Sequence, residues 1–212
     1  RGEPVIRAAV SRAIKEMGRQ FVLGEDITKA MTRAAGMEAK GYTYSYDMLG
    51  EAALTDRDAE RYFDHYQGAI RAIAAVCTSY DIRQNPGISV KLSALHPRYE
   101  RAQSRNVMTT LVPRVLTLAE AAKAAGMGLN IDAEEADRLS LSMDVIDTVL
   151  CAPTLAGWDG FGIVVQAYSP RASHVIDTIY EMAQRYDRRV MGRLVKGAYW
   201  DTEIKRAQVD GM

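Results

Sequence analysis

The sequence predicts an α/β fold, a parallel sheet alternating with helices and preceded by N-terminal helices. Three observations predict it. From residue 41 onward, short strand-like runs alternate with longer segments of helical periodicity. The connections are short and polar, as right-handed crossovers between parallel strands require. Strands two to five are short and mostly apolar, which suits strands covered on both faces. Two architectures satisfy this pattern: an open doubly wound sheet, or part of an eight-stranded barrel.

Each element has a local reason. Residues 3–21 carry Val5, Ile6, Ala9, Val10, Ala13, Ile14 and Met17 at helical spacing on one face, and Gly24 stops the run. Asp26 suits the N-cap of a second helix reaching about residue 39. Residues 42–48, rich in Tyr and Thr, predict the first strand. Thr55 and Asp58 fit the opening of a long helix whose face holds Ala69, Ile70, Ile73, Ala74 and Cys77. Asn85-Pro86-Gly87 marks a turn, and 87–92 reads as a second strand. A helix over 107–125 ends at Gly126, and 128–132 is a third strand. Leu139 to Val149 supply the next helix, 160–166 the fourth strand and 175–186 its helix. A fifth strand spans 190–195, and a helix begins at 201.

Composition narrows the function. Of 212 residues, 27 are Lys or Arg and 27 are Asp or Glu, so the formal net charge is zero. That argues against a nucleic-acid binder working through bulk charge. No apolar run reaches the roughly 20 residues that span a bilayer. Cys77 and Cys151 each sit in an apolar run, which predicts two buried thiols in a reducing compartment. His65, His96 and His174 are scattered, so no metal site is expected. The amino end has neither a signal pattern nor an initiator Met, and it reads as an excised piece.

In both architectures, function gathers where parallel strands end. Asp47 closes the first strand, with Glu51 just beyond. Lys91 interrupts the second, and Asp132-Ala133-Glu134-Glu135 follows the third. Gln166-Ala167-Tyr168 ends the fourth, while the fifth holds Arg193 and then Lys196-Gly197-Ala198-Tyr199-Trp200. Lys91 reads either as an outward Lys paired to a helix carboxylate, or as a substrate-binding cation or lowered-pKa nucleophile near Asp132 and Glu51. Asp132 serves a site or caps the next helix. Gln166 meets a planar heterocycle or satisfies loop backbone. Tyr199 and Trp200 stack on a ring or pack in the core, and Gly197-Ala198 leaves room for a flat ligand. The glycines at 126–128 and 157–162 precede strands, so neither makes a Rossmann turn. A nucleotide would rely on Arg193, Lys196 and Trp200.

Five segments carry a resemblance: YSYDMLGEAAL from Tyr44, SVKLSALHPRY from Ser89, LNIDAEEADRL from Leu129, VVQAYSPR from Val164 and RLVKGAYWDTEIKRAQ from Arg193. In order and over nearly the whole chain, they resemble the proline dehydrogenase domain of the bacterial proline utilization A family. The resemblance implies a distorted (β/α)8 TIM-like barrel that binds FAD. It implies oxidation of L-proline to Δ1-pyrroline-5-carboxylate, with electrons passed to membrane quinone. It implies a bifunctional, oligomeric parent with a glutamate-semialdehyde dehydrogenase domain, in the cytoplasm and in peripheral contact with the inner membrane. No DNA-binding domain is expected within this chain.

Residue by residue, the resemblance gives Lys91 the substrate carboxylate, Asp132 a place beside flavin and substrate with Ala133 as small neighbour, and Gln166 a hydrogen bond to the flavin. Arg193, Val195, Lys196, Gly197 and Ala198 resemble residues lining FAD. Tyr199 resembles the tyrosine over the substrate ring, and Trp200 the aromatic near the adenosine half. Glu51 resembles a glutamate that pairs with an arginine on the last barrel helix. With five strands against eight, the expectation is a helical arm over 1–40 and the first part of a barrel over 41–212, inactive in isolation. The competing expectations are a Schiff-base lysine enzyme using Lys91 or Lys196, and an inactive structural or regulatory fragment.

Overall fold

The structure, a computed structural model, describes residues 2–212. It divides into two units after Tyr44.

The first unit holds α1 (Glu3–Phe21) and α2 (Ile27–Glu38). Glu3 lies in the first turn of α1, where an acidic group complements the helix dipole. Asp26 caps α2, its side chain accepting the Lys29 N–H at 2.8 Å. The apolar stripe of α1 is exposed along its length, at Val5, Ile6, Val10, Ile14 and Met17.

The second unit alternates strand and helix throughout. In order it holds β1 (Ser45–Asp47), α3 (Asp56–Ala74), β2 (Gly87–Val90), α4 (Ser104–Ala124), β3 (Leu129–Ile131), α5 (Leu139–Leu150), β4 (Phe161–Gln166), α6 (Ala172–Arg185), β5 (Met191–Val195) and α7 (Trp200–Asp210). Thr55 and Asp58 form a capping box on α3: the Asp58 N–H donates to Thr55 Oγ1 and the Thr55 N–H to Asp58 Oδ2, both at 3.1 Å. Gly126, at φ +66°, ends α4 in the left-handed conformation that favours glycine.

All strand pairs are parallel, and the spatial order is β1-β2-β3-β4-β5. A doubly wound sheet reverses its order at a switch point. This one never reverses, which leaves the barrel arc. A side-chain contact shows the curl directly. Arg193 on β5 donates from Nη2 to Ser45 Oγ on β1 at 2.9 Å. Four strand spacings in a flat sheet would separate them by about 19 Å.

The register divides the faces. Asp47 lies opposite Ser89, Ser89 opposite Asn130, Asn130 opposite Gly162, and Gly162 opposite Met191. These positions and their i+2 neighbours point into the arc. Gly162 has no side chain because Asn130 takes its space: a Cβ there would lie 2.1 Å from Asn130 Oδ1. The alternate residues are apolar and buried, among them Tyr46, Ile88, Val90, Leu129, Ile131, Phe161, Ile163 and Val165. Helix α3 packs beside α4, and α4 beside α5.

Three expectations change. The first strand is shorter than 42–48, because only Ser45–Asp47 finds a ladder partner on β2. Strand β5 is not covered on both faces: Leu194 on its outward side is 64% exposed. The cysteines are not core thiols. Cys151 follows the last turn of α5 and is exposed, while Cys77 lies beyond α3 and is half-buried.

Candidate active site

The site is built from three two-residue steps. Ser45-x-Asp47, Ser89-x-Lys91 and Asn130-x-Asp132 each place a small polar residue one level below a charged one on the inner face. Lys91 lies just past the end of β2, before a tight turn over Leu92–Ala94. Its backbone N–H donates to the Tyr66 hydroxyl of α3 at 3.1 Å, which fixes where its side chain starts. The ammonium donates to both carboxylate oxygens of Asp47 at 2.8 Å and to Asp132 Oδ2 at 2.9 Å. Lys91 and Asp132 side chains are each 15% exposed, whereas Asp47 is 45% exposed. Burial disfavours the Lys91 ammonium, but the two carboxylates outweigh it and raise its pKa. Burial pushes the Asp132 carboxyl above the usual range, against the pull of Lys91. Lys91 and Asp132 therefore meet at one end of the sheet.

Below them lies a polar layer. Arg193 donates from Nη1 to Ser89 Oγ at 3.1 Å as well as from Nη2 to Ser45. Its Nη1 also stands 3.9 Å from Asp132 Oδ1. Ser45 Oγ and Ser89 Oγ are 3.2 Å apart, and the Asn130 amide reaches Ser45 at 3.5 Å. Barrel interiors are dominated by branched apolar side chains. Here a guanidinium, two hydroxyls and an amide hold one another beneath the charged layer. Sequence reasoning missed Ser45, Ser89 and Asn130. The period-two rule could have found them, since each sits two residues before a charged strand end.

The mouth loops are stitched by a relay around Glu134. Its buried carboxylate accepts the Ser93 N–H at 3.0 Å and lies 3.5 Å from Arg138 Nη1. Burial raises its pKa, offset in part by the hydrogen bonds from Ser93. Ser93 in turn accepts the Ala52 N–H on Oγ at 3.0 Å and the Ala53 N–H on its carbonyl at 2.9 Å. The Glu134 carbonyl accepts from Gln166 Nε2 at 2.8 Å, and Gln166 Oε1 accepts the Ala198 N–H at 3.2 Å. Gln166 thus braces two loops, those after β3 and β5. Each end of its amide keeps capacity for one further bond.

The remaining candidates line the β5 side. Val195 points inward two residues after Arg193 and is half-buried. Lys196, Ala198 and Trp200 are exposed, Trp200 by 56%. Gly197 adopts φ +106°, and a Cβ there would lie 2.3 Å from the Tyr168 ring. Tyr199 is half-buried, and its phenol is raised by burial and by the nearby charges of Glu134 and Glu51. Glu51 is exposed beyond β1. Helix α7 is clasped to the loop after β3: Glu203 Oε1 accepts the Ala136 N–H at 2.8 Å, and Arg206 pairs with Asp137 at 2.6 Å. A cavity of about 50 Å³ lies on the outer side, between Ile131, Ile163 and Val165 of the sheet and Met143, Ile146 and Val175 of the helices. Asp132, Ala133 and Gln166 border it, whereas Lys91 does not.

Comparison with known proteins agrees with this geometry. The sequence model for "Proline dehydrogenase" matches residues 30–212. The bifunctional protein PutA of Salmonella typhimurium is 54% identical over 211 residues, covering 100% of this chain and 16% of that protein. Proline dehydrogenase 1 of Bacillus subtilis is 25% identical over 181 residues, 85% of this chain and 52% of its own length. The chain thus spans about a sixth of the bifunctional relatives. A proline utilization A structure from Bradyrhizobium japonicum superposes with TM-score 0.85 at 52% identity, over 100% of this chain and 21% of that one. The structure of the Bdellovibrio bacteriovorus protein, inactivated by N-propargylglycine, gives TM-score 0.91 at 25% identity, over 98% of this chain and 23% of that one. The five-stranded arc is part of a TIM-like barrel, and the chain belongs to the proline dehydrogenase family.

Proposed function

We propose that this chain carries the substrate and cofactor mouth of an FAD-dependent proline dehydrogenase. It oxidises L-proline to Δ1-pyrroline-5-carboxylate, the first step of proline catabolism to glutamate, and the electrons go to quinone. The observation that carries the reading is the Lys91 ammonium held at the strand ends against Asp47 and Asp132. Proline presents a carboxylate and a ring nitrogen on adjacent atoms. Lys91 supplies the cation for the carboxylate, and Asp132 the negative charge for the nitrogen. Tyr199, half-buried beside them, excludes water from the ring. The protein's share of the rate is orientation in a partly dry site.

The residues fit a flavin bound without a glycine-rich phosphate loop. Arg193 and Lys196 supply positive charge, Gly197 lets a flat ring approach the backbone, and Trp200 offers a largely open aromatic face. FAD, when bound, supplies the acceptor for the hydride on the carbon beside nitrogen. Quinone as acceptor, peripheral membrane contact, a cytoplasmic location and an oligomeric parent rest on the family resemblance. No helix among the described residues is long and apolar enough to cross a membrane.

A Schiff-base role for Lys91 finds no support. Such a lysine needs a lowered pKa, and this one is raised by two carboxylates. The test is the intact natural protein, purified and assayed for yellow colour and proline-dependent dye reduction. Colourless protein that forms a borohydride-trapped adduct at Lys91 with a carbonyl substrate would overturn the proposal.

A further inference from the structure

We propose that Tyr66 is a positioning residue for proline binding: its hydroxyl stands in for a missing rung of the sheet and thereby aims the Lys91 ammonium. The inference rests on the role given to Lys91 in the function proposed above and deepens it.

Strand β1 ends at Asp47, whose partner on β2 is Ser89. Two residues beyond Ser89, Lys91 has no residue of β1 in the ladder beside it. On the other side, the pairing of β2 with β3 ends at Val90 and Ile131. The chain therefore leaves the sheet at Lys91 with an N–H that no strand supplies. A backbone N–H shielded from water needs an acceptor. The Tyr66 hydroxyl is that acceptor, at 3.1 Å. The Lys91 carbonyl takes the Ala94 N–H at 3.2 Å, which opens the tight turn over Leu92–Ala94. With both backbone groups engaged, Lys91 stays extended at φ −98° and ψ 124°.

Tyr66 comes from outside the strands. It lies on α3, which packs against β2, and it is fully buried. Burial raises its phenol; the Lys91 N–H and ammonium oppose this, and the Asp47 and Asp132 carboxylates add to it. The hydroxyl thus stands beside the same three charged groups, and it stays neutral among them. A lysine ammonium ends a flexible four-carbon stem. Its place depends on where the stem begins and on what holds its tip. Asp47 and Asp132 hold the tip. Tyr66 fixes the beginning. A binding group has to be held within about 0.5 Å of its working position, so the second anchor matters as much as the first. Tyr66 acts through Lys91, without requiring contact with the substrate.

The test is a double-mutant cycle in the intact enzyme. Tyr66→Phe keeps the ring and removes the acceptor. It should raise the KM for L-proline about three- to tenfold, with kcat changed less than about twofold and flavin content unchanged. In the Lys91→Ala background the same substitution should move KM by less than about twofold, because the group it aims is gone. Tyr186→Phe is the control for a lost tyrosine hydrogen bond. Its hydroxyl donates to Asp147 Oδ1 at 3.0 Å at the other end of the sheet, and its KM should match that of the unaltered enzyme. If Tyr66→Phe folds poorly, Tyr66→Met, which also lacks the hydroxyl, is read by the same cycle. An unmoved KM, an equal rise in both backgrounds, or an equal rise in the control would overturn the inference while leaving the proposed function standing. Absence of proline oxidation by the unaltered enzyme would refute the proposed function and this inference together.

Discussion

Glu134 Oε1 accepts the backbone N–H of Ser93 at 3.0 Å, carboxylate and amide both buried. One contact joins the loop after β2 to the loop after β3. Through Ser93 it reaches the loop after β1, and through the Glu134 carbonyl it reaches Gln166 and Ala198. Five strand ends are thereby fixed relative to one another.

Glu134→Ala should destabilise the fold by about 1–3 kcal/mol, because the Ser93 N–H loses its acceptor where water does not replace it. Glu134→Gln keeps an acceptor and should lose less than half as much. The sign of the titration agrees. With a raised pKa, the contribution of Glu134 is full below the unfolded value and is lost as pH rises through the folded one. The ionised form at neutral pH is the costly one, and Gln removes it. Urea unfolding of both variants checks the order.

Lys91→Ala in the intact enzyme should weaken proline binding by about 1.5–3 kcal/mol and leave flavin content unchanged. Asp47 and Asp132 would then face each other without their shared cation. A KM series with flavin absorbance on the same preparations measures both effects. Lost flavin at normal proline affinity would reverse the assignment.

Arg193→Ala should lower flavin retention through purification, since no phosphate loop substitutes for the guanidinium. Arg193→Lys should restore little of it. Arg193 reaches Ser45 and Ser89 with separate nitrogens of a planar fork, a geometry that the shorter lysine side chain with its point-like ammonium does not reproduce. The flavin-to-protein absorbance ratio reads this, and unchanged occupancy in either variant would contradict it.

His96 should make the fold acid-sensitive. It is buried, and its Nδ1 accepts the Arg98 N–H at 3.1 Å, which only a neutral imidazole can do. Burial lowers its pKa, Arg114 adds to this, and Asp56 opposes it. A lowered pKa contributes stability that is full above the unfolded value and is lost as pH falls through the folded one. Melting temperature should therefore drop between about pH 7 and pH 5. His96→Asn, whose side-chain oxygen can accept the same N–H, should flatten that slope.

Much of this was legible in the sequence because the signals are local. The Asp26 cap and the Thr55–Asp58 box announce themselves within four residues. The short apolar runs and their polar ends placed Lys91, Asp132 and Arg193 at one mouth. What escaped depends on register and curvature. Asp47 was visible as a strand end, but its hold on Lys91 requires β1 to lie one level below the tip of β2. The link from Arg193 to Ser45 spans 148 positions in sequence and exists only because the sheet curls. The contacts of Gln166 with the Glu134 carbonyl and the Ala198 N–H depend on loops distant in sequence. Cys151 looked buried by its apolar neighbours, yet its place after the last turn of α5 turns it outward.

The strand order β1 to β5 has a consequence for biosynthesis. Order in space equals order of translation, so each strand–helix unit leaving the ribosome meets its docking partner already made. No earlier strand must be parted to admit a later one. The contacts that build the sheet join consecutive units, which keeps loop closure inexpensive and the search short. The reach of Arg193 back to Ser45 is the contact that spans the most strands. It can form only after the fifth strand has emerged, and it then ties the two outer strands of the arc to each other.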